Sequence, residues 1–177
     1  RYGLVGSEMC IRDRFNVVEN ELSTLIYTSG TTGNPKGVML SHKNILSNID
    51  SIKKRFVEFN DIQGMKSLNI LPWAHIYGLT CELYYNLLND NKVVISSGVD
   101  NFVKEISEIK PDVLYLVPKI LELIKTKLSI LDKPLIRKIL PFVLNKLFGG
   151  NLLTIFMGGA KLDENTRAFY LDNGIII

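Results

Sequence analysis

The sequence is poor in the residues that mark several large classes of protein. It has two cysteines, Cys10 and Cys81, which excludes a disulfide scaffold. Its net charge of +3 is small and its basic residues are scattered, so a nucleic-acid-binding protein is not expected. No apolar run reaches the roughly 18 residues of a membrane-spanning helix, and no secretory signal is evident. With 46% hydrophobic and 22% charged residues, the chain is typical of a folded domain. A cytoplasmic location, with or without peripheral membrane association, is the default expectation.

The two ends of the chain have unusual sequences. Residues 1–14 contain three Arg and no Lys, whereas the remainder contains three Arg and fifteen Lys. Residues 6–14 read like a translated sequencing adapter, so we expect 1–14 to be non-native and 15–177 to be the credible chain. The chain begins with Arg1 and ends in three isoleucines. We therefore expect it to be a piece of one domain, truncated at both ends.

Apolar β-type runs alternate with helical patterns along the chain. Strands are predicted over 22–28, 37–40, 67–71, 92–95, 113–117 and 152–157. Helices are predicted after an N-cap at Ser41, over 77–88, 101–109, 118–129 and 134–148, and between Asp163 and Gly174. This alternation predicts an α/β fold with a mainly parallel sheet and helices on its faces.

The helix predicted over 134–148 allows two interpretations. It carries a wide apolar stripe and several basic residues, among them Lys138 and Lys146. A core-facing helix with one solvated side is the commoner meaning of such a pattern. The same pattern also suits peripheral contact with a membrane surface.

The segment 27–42 carries the strongest chemical signal. A predicted strand leads into a loop with hydroxyl side chains at Thr28, Ser29, Thr31 and Thr32, and with glycines at positions 30 and 33. Such glycines let backbone N–H groups approach an anion, and Lys36 adds a positive charge, so the loop suits a polyphosphate. A Walker A loop is excluded, because counting from Gly30 or from Gly33 does not place Gly-Lys-Ser/Thr at the required spacing.

Residues 28–37 resemble the phosphate-loop signature of the adenylate-forming (AMP-binding) enzymes at every position. Three further segments resemble family motifs in the same order: Leu-Pro-Trp-Ala-His-Ile-Tyr-Gly at 71–78, the strand ending in Val-Pro at 111–118, and Gly-Gly-Ala at 158–160. The resemblance implies that the chain is part of the large N-terminal domain of such an enzyme. Lys161 departs from the family pattern, in which proline is common at this position.

The resemblance implies ATP, Mg²⁺ and coenzyme A as cofactors or co-substrates. The loop residues would bind the phosphates of ATP, with Lys36 as a mobile electrostatic contact; they are Thr28, Ser29, Gly30, Thr31, Thr32, Gly33 and Lys36. Either Thr28 or Ser29 would touch the metal ion. Gly158, Gly159 and Ala160 would let the backbone approach the nucleotide and the acyl group.

The resemblance makes His75 and Lys36 the catalytic candidates, with His75 placed near the substrate carboxylate and the α-phosphate. Trp73 and Tyr77 flank it and either line the acyl site or pack in the core. The motif over 71–83 looks most like long-chain fatty acid–CoA ligases, which form an acyl-adenylate and then an acyl-CoA thioester. An aryl- or amino-acid-activating relative, or a non-catalytic nucleotide-binding fragment, is the alternative. Because the family's Tyr-Gly-x-Thr-Glu motif and distal lysine are not in the chain, we expect this piece alone to be inactive.

Overall fold

The computed structural model describes residues 17–29, 34–56, 64–128 and 138–177. The chain divides into two compact units, Arg1–Ser47 and Asn48–Ile177. The first unit holds the segment predicted to bind phosphate, and the second unit holds the three later motifs.

The first unit contains a two-stranded antiparallel hairpin. Strand β1 (Leu22–Thr28) pairs with β2 (Lys36–Ser41), and Thr28 lies directly opposite Lys36 at the end of the ladder that adjoins the connecting segment. Helix α1 (His42–Phe56) begins immediately after β2 and crosses the boundary between the units. The predicted N-cap is confirmed, because the Ser41 hydroxyl accepts from the Asn44 N–H and the Asn44 side chain accepts from the Ser41 N–H.

The second unit is built on a four-stranded parallel sheet. Its strands are β3 (Lys66–Asn69), β4 (Lys92–Ile95), β5 (Val113–Leu116) and β6 (Thr154–Met157), in the spatial order β4-β3-β5-β6. The connections contain a π-helix (Gly78–Tyr84), α2 (Tyr85–Leu88), α3 (Val99–Ile109), α4 (Pro118–Leu128) and α5 (Leu140–Leu147), and α6 (Glu164–Asp172) follows β6. The predicted strands are confirmed: two match at both ends, and the ends of the other four shift by at most two residues.

Both faces of this sheet are covered. All four residues of β5 are buried, and such a strand is expected only where structure packs on each side of a parallel sheet. Leu114 and Leu116 join one apolar cluster with helices α3 to α6. From the other face of β5, the Tyr115 ring stacks on Phe156. The predicted α/β architecture is therefore confirmed.

The helix predicted over 77–88 differs from its expected form. Seven of its residues form a π-helix, and α-helical geometry resumes only at Tyr85. The apolar set that predicted the helix includes Leu87 and Leu88, which are each 60% exposed, whereas Glu82 and Asn86 are buried. A π-turn closes its hydrogen bonds from i to i+5 rather than i to i+4, so it rotates the following residues away from the face that a regular α-helix would bury.

The helix predicted over 134–148 is described only from residue 138 onward, where α5 begins at Leu140. Leu144 and Phe148 are fully buried, which confirms the core-facing side. Ile139 and Phe142 are exposed. The membrane contact stays a prediction, and it would involve the side of the helix on which these two residues lie. In the described parts of the chain, every helix is too short or too polar to cross a bilayer.

Candidate functional site

The order of the parallel strands identifies one crevice in the second unit. From β3 the chain moves to β4 on one side and then returns to place β5 and β6 on the other side. Parallel sheets bind ligands beyond the carboxyl ends of their strands at such a reversal point. The carboxyl ends of β3 and β5 flank it here. The turn that carries His75 follows β3, so the sequence-predicted catalytic candidate lies at the position that the topology favours.

Tyr77 connects two of the sequence motifs that we predicted to share a site. Its hydroxyl donates to the backbone carbonyl of Phe156 at 2.8 Å, although the two residues are 79 positions apart. The Gly158 N–H donates to the Leu116 carbonyl at 3.2 Å, which ties the glycine turn to β5. The structure therefore brings the His75 turn and the Gly158 turn together at one edge of the sheet.

Within the Gly-Gly-Ala turn, Gly158 was predicted to let the backbone approach a ligand, and the structure shows a protein side chain next to it instead. A Cβ at this position would lie within 2.5 to 2.7 Å of three ring atoms of Tyr77. The missing side chain therefore makes room for the Tyr77 ring. Gly159, with a φ of +81°, and Ala160 are exposed, and their predicted role beside a ligand stays a prediction.

His75 itself is exposed and held by its backbone. Its N–H donates to the Pro72 carbonyl at 3.0 Å, and its own carbonyl accepts from the Leu79 N–H at 3.0 Å. These two bonds fix the turn on both sides of the imidazole while the side chain stays open to solvent. The imidazole is therefore accessible to a substrate at the sheet edge.

A buried carboxylate beneath this turn was missed by the sequence analysis. Glu82 is fully buried in the π-helix and accepts a hydrogen bond from the Asn69 amide. Burial raises the pKa of Glu82 to about 7, while the Asn69 amide and the Trp73 indole N–H oppose the rise. The available signal was a single acidic residue in the otherwise uncharged segment 70–88.

Cys81 adjoins this carboxylate in sequence. Its side chain is partly buried, and burial raises the pKa of its thiol to about 11. A thiol with a raised pKa is a poor nucleophile at neutral pH.

The predicted phosphate loop lies in the first unit and is described only at its two ends. Thr28, Ser29 and Lys36 are exposed, and the Thr28 hydroxyl donates to the Lys36 carbonyl at 3.4 Å. Because Thr28 and Lys36 are opposite each other in the ladder, a residue with a hydroxyl group and one with an ammonium group flank the segment that connects the two strands. Four other predicted residues lie outside the described residues: Gly30, Thr31, Thr32 and Gly33.

A magnesium site was predicted to involve a hydroxyl of Thr28 or Ser29. Across the described residues, no group of three or more His, Cys, Asp or Glu side chains could hold a metal ion. The two hydroxyls alone do not make a magnesium site, since this ion prefers several oxygen ligands that include carboxylates. The metal contact of Thr28 or Ser29 therefore stays a prediction.

Comparison with known proteins identifies relatives in sequence. The family model described as AMP-binding enzyme matches residues 11–176. Fatty acyl-CoA synthetase B of Dictyostelium discoideum is 30% identical over 84% of the chain, and long-chain-fatty-acid–CoA ligase 2 of Schizosaccharomyces pombe is 30% identical over 85%. The chain spans 26% and 27% of these two relatives, about a quarter of their length.

Solved structures support the fold. The N-terminal domain of FACL13 from Mycobacterium tuberculosis aligns with a TM-score of 0.68 at 21% identity, covering 92% of this chain and 37% of that one. An o-succinylbenzoate CoA synthetase from Bacillus subtilis aligns with a TM-score of 0.67 at 21% identity, covering 89% and 29%. The family match over nearly the whole chain, together with this fold, shows that the chain belongs to the AMP-binding enzyme family.

Proposed function

We propose that the protein to which this chain belongs is an acid–thiol ligase that activates a long-chain fatty acid. In the first step a carboxylate oxygen of the acid attacks the α-phosphorus of ATP, and the bond to pyrophosphate breaks. In the second step the sulfur of coenzyme A attacks the acyl carbonyl carbon, AMP leaves, and the thiol proton is released. The family match over residues 11–176 is the observation that carries this proposal.

The residues of the second unit suit the first step. His75 is exposed at the reversal point of the sheet, where ligands of parallel sheets bind. An imidazole at that point can donate a hydrogen bond to oxygens whose negative charge increases as the acyl-adenylate forms. Gly159 and Ala160 expose their backbone at the same sheet edge, where a planar base or an acyl chain can approach without a side chain in the way.

The described ends of the phosphate loop suit a polyphosphate. Lys36 is exposed, opposite Thr28, at the end of the hairpin that adjoins the connecting segment. We propose that this ammonium neutralises charge on the β- and γ-phosphates and that it does not transfer a proton. Magnesium would supply further charge neutralisation when bound, with one hydroxyl of Thr28 or Ser29 as its contact in this chain.

The choice of a fatty acid rests on the names of the sequence relatives and on the motif over 71–83. ATP–pyrophosphate exchange by the full-length enzyme, measured separately with palmitate, benzoate and a mixture of amino acids, tests this choice. Exchange that requires palmitate is the expected result. Exchange with benzoate or amino acids alone would assign the enzyme to an aryl- or amino-acid-activating branch. Nucleotide binding without any exchange would leave a non-catalytic protein.

A further inference from the structure

The segment that carries His75 is attached to the protein through an amide of the neighbouring strand. Asn69 is the last residue of β3, and its side-chain nitrogen donates to the Leu71 carbonyl at 2.9 Å. The same nitrogen donates to the Glu82 carboxylate. One amide therefore joins the end of the strand, the start of the turn and the π-helix.

Glu82 is the buried partner in this connection. It is fully buried, and Asn69 is only 8% exposed, so both partners of their hydrogen bond are withdrawn from water. A hydrogen bond between groups removed from solvent is costly to break, because the amide and the carboxylate would each be left unsatisfied. The π-helix that carries Glu82 is also a local departure from α-helical geometry of the kind that frequently occurs at functional sites.

His75 lies between the two ends of this connection. The turn leaves Asn69, passes the Leu71 carbonyl that Asn69 binds, and reaches His75, whose carbonyl then accepts from the Leu79 N–H in the π-helix. The indole N–H of Trp73, midway along the turn, is buried and has no hydrogen-bond partner among the described residues, so the Asn69 amide is the observed link between the start of the turn and Glu82. Glu82 is therefore bonded to the strand end that precedes the imidazole and belongs to the π-helix that follows it, and it is itself buried.

We propose that Glu82 and Asn69 form a positioning pair that holds the His75 turn in the geometry needed for adenylation. The pair does not touch the substrate and acts through the backbone of residues 71–79. The catalytic part of this inference rests on the proposed function, because it takes adenylation as the reaction of His75. The structural part, that the pair holds the turn, does not depend on it.

The groups around Glu82 allow the contribution of geometry to be separated from that of charge. Tyr77, Tyr115 and Cys81 all have a raised pKa, with burial as the largest cause, so these three stay protonated at neutral pH. Glutamine at position 82 keeps an oxygen that can accept from the Asn69 amide, whereas leucine has a similar size and no acceptor. If the pair acts by geometry, Glu82→Gln should resemble the wild type and Glu82→Leu should not.

Two measurements on the full-length enzyme test the pair. In ATP–pyrophosphate exchange with palmitate, Glu82→Leu should lower kcat by about 100-fold per folded enzyme and leave KM for ATP within about twofold, as expected for a small misplacement of a catalytic group. Hydrogen exchange of the peptide covering residues 71–79 should become faster in Glu82→Leu and stay native in Glu82→Gln. Asn69→Ala should reproduce Glu82→Leu, and the double variant should be no worse than either single variant.

The outcomes separate the inference from the proposed function. A wild-type kcat in Glu82→Leu, or native exchange of residues 71–79 in that variant, would overturn the inference, as would a Glu82→Gln variant that is as impaired as Glu82→Leu. If Glu82→Leu does not fold, Asn69→Ala carries the same two expectations. If the wild-type enzyme shows no ATP–pyrophosphate exchange with any acid, the proposed function fails. The hydrogen-exchange comparison of residues 71–79 still decides whether the pair holds the turn.

Discussion

The ring of Tyr77 packs directly on the Cα of Gly158, so a methyl group at position 158 would lie 2.5 Å from the Tyr77 Cε2 atom. The Tyr77 hydroxyl reaches past this contact to the Phe156 carbonyl. A glycine of the Gly-Gly-Ala motif and a tyrosine of the motif at 71–78 therefore fit one another, and the fit joins the two turns at the edge of the sheet.

Replacing Gly158 with alanine should destabilise the full-length protein by about 1–3 kcal/mol, because the added methyl group overlaps the Tyr77 ring. Urea denaturation measures the change. In the double variant with Tyr77→Leu, the loss should be smaller than the sum of the two single losses, because the smaller side chain leaves room. Tyr77→Phe is the matched control, since it keeps the ring and should give no relief. Additive losses with leucine would contradict the overlap.

The buried Glu82 should make stability depend on pH. Its pKa is raised from 4.5 to about 7 in the folded state, so the folded protein holds more protons than the unfolded protein between these values. The free energy of unfolding should therefore fall by about 3 kcal/mol as pH rises through this window, at about 1.4 kcal/mol per pKa unit. Glu82→Gln should lack this component.

The measurement is chemical denaturation of the wild type and of Glu82→Gln at pH 5 and pH 8. The difference in stability between the two proteins should shift in favour of Glu82→Gln at the higher pH. Equal differences at both values would show that Glu82 does not titrate in this window.

His75→Asn should lower the adenylation rate of the full-length enzyme by about 100-fold, the scale of removing one hydrogen-bond donor that stabilises developing charge. The chain has two histidines, and His42→Asn is the matched control. His42 begins α1 in the other unit and should be replaceable without loss of rate. Equal effects of the two substitutions on pyrophosphate exchange would remove His75 from its proposed role.

Lys36→Met should raise KM for ATP by roughly 10- to 100-fold, the equivalent of one lost charge-assisted contact. Lys43→Met removes the same charge from an exposed position on α1 and should leave KM nearly unchanged. Steady-state kinetics with ATP varied at saturating palmitate compare the two variants. A similar change in both would indicate a general electrostatic effect in place of a specific contact.

Local signals in the sequence predicted the parts of the fold that depend on neighbouring residues. The N-caps at Ser41 and Asp163 are both present, because their side chains accept from backbone N–H groups three residues further on. Pro118 begins α4 as expected, since the first turn of a helix needs no N–H from it. Burial in the 77–88 helix was not predictable in this way, because the π-turn alters the periodicity on which the prediction depends.

The same distinction between local signals and tertiary contacts applies to the residues of the candidate site. The motifs indicated His75, Gly159 and Ala160 from their order in the chain, but they gave no sign of the contact between Tyr77 and Gly158. Asn69 and Glu82 escaped notice because each is an ordinary polar residue in the sequence. Their importance arises from being buried together, 13 positions apart, where neither can bond to water.

The sequence by itself determined the types of the elements, the caps of the helices and the family, because periodicity, capping chemistry and motif order are all encoded locally along the chain. Only the tertiary structure decided the strand order β4-β3-β5-β6, the burial of Glu82 and the packing of Tyr77 on Gly158. These features depend on contacts between residues far apart in the chain, and such contacts form according to how the elements pack together.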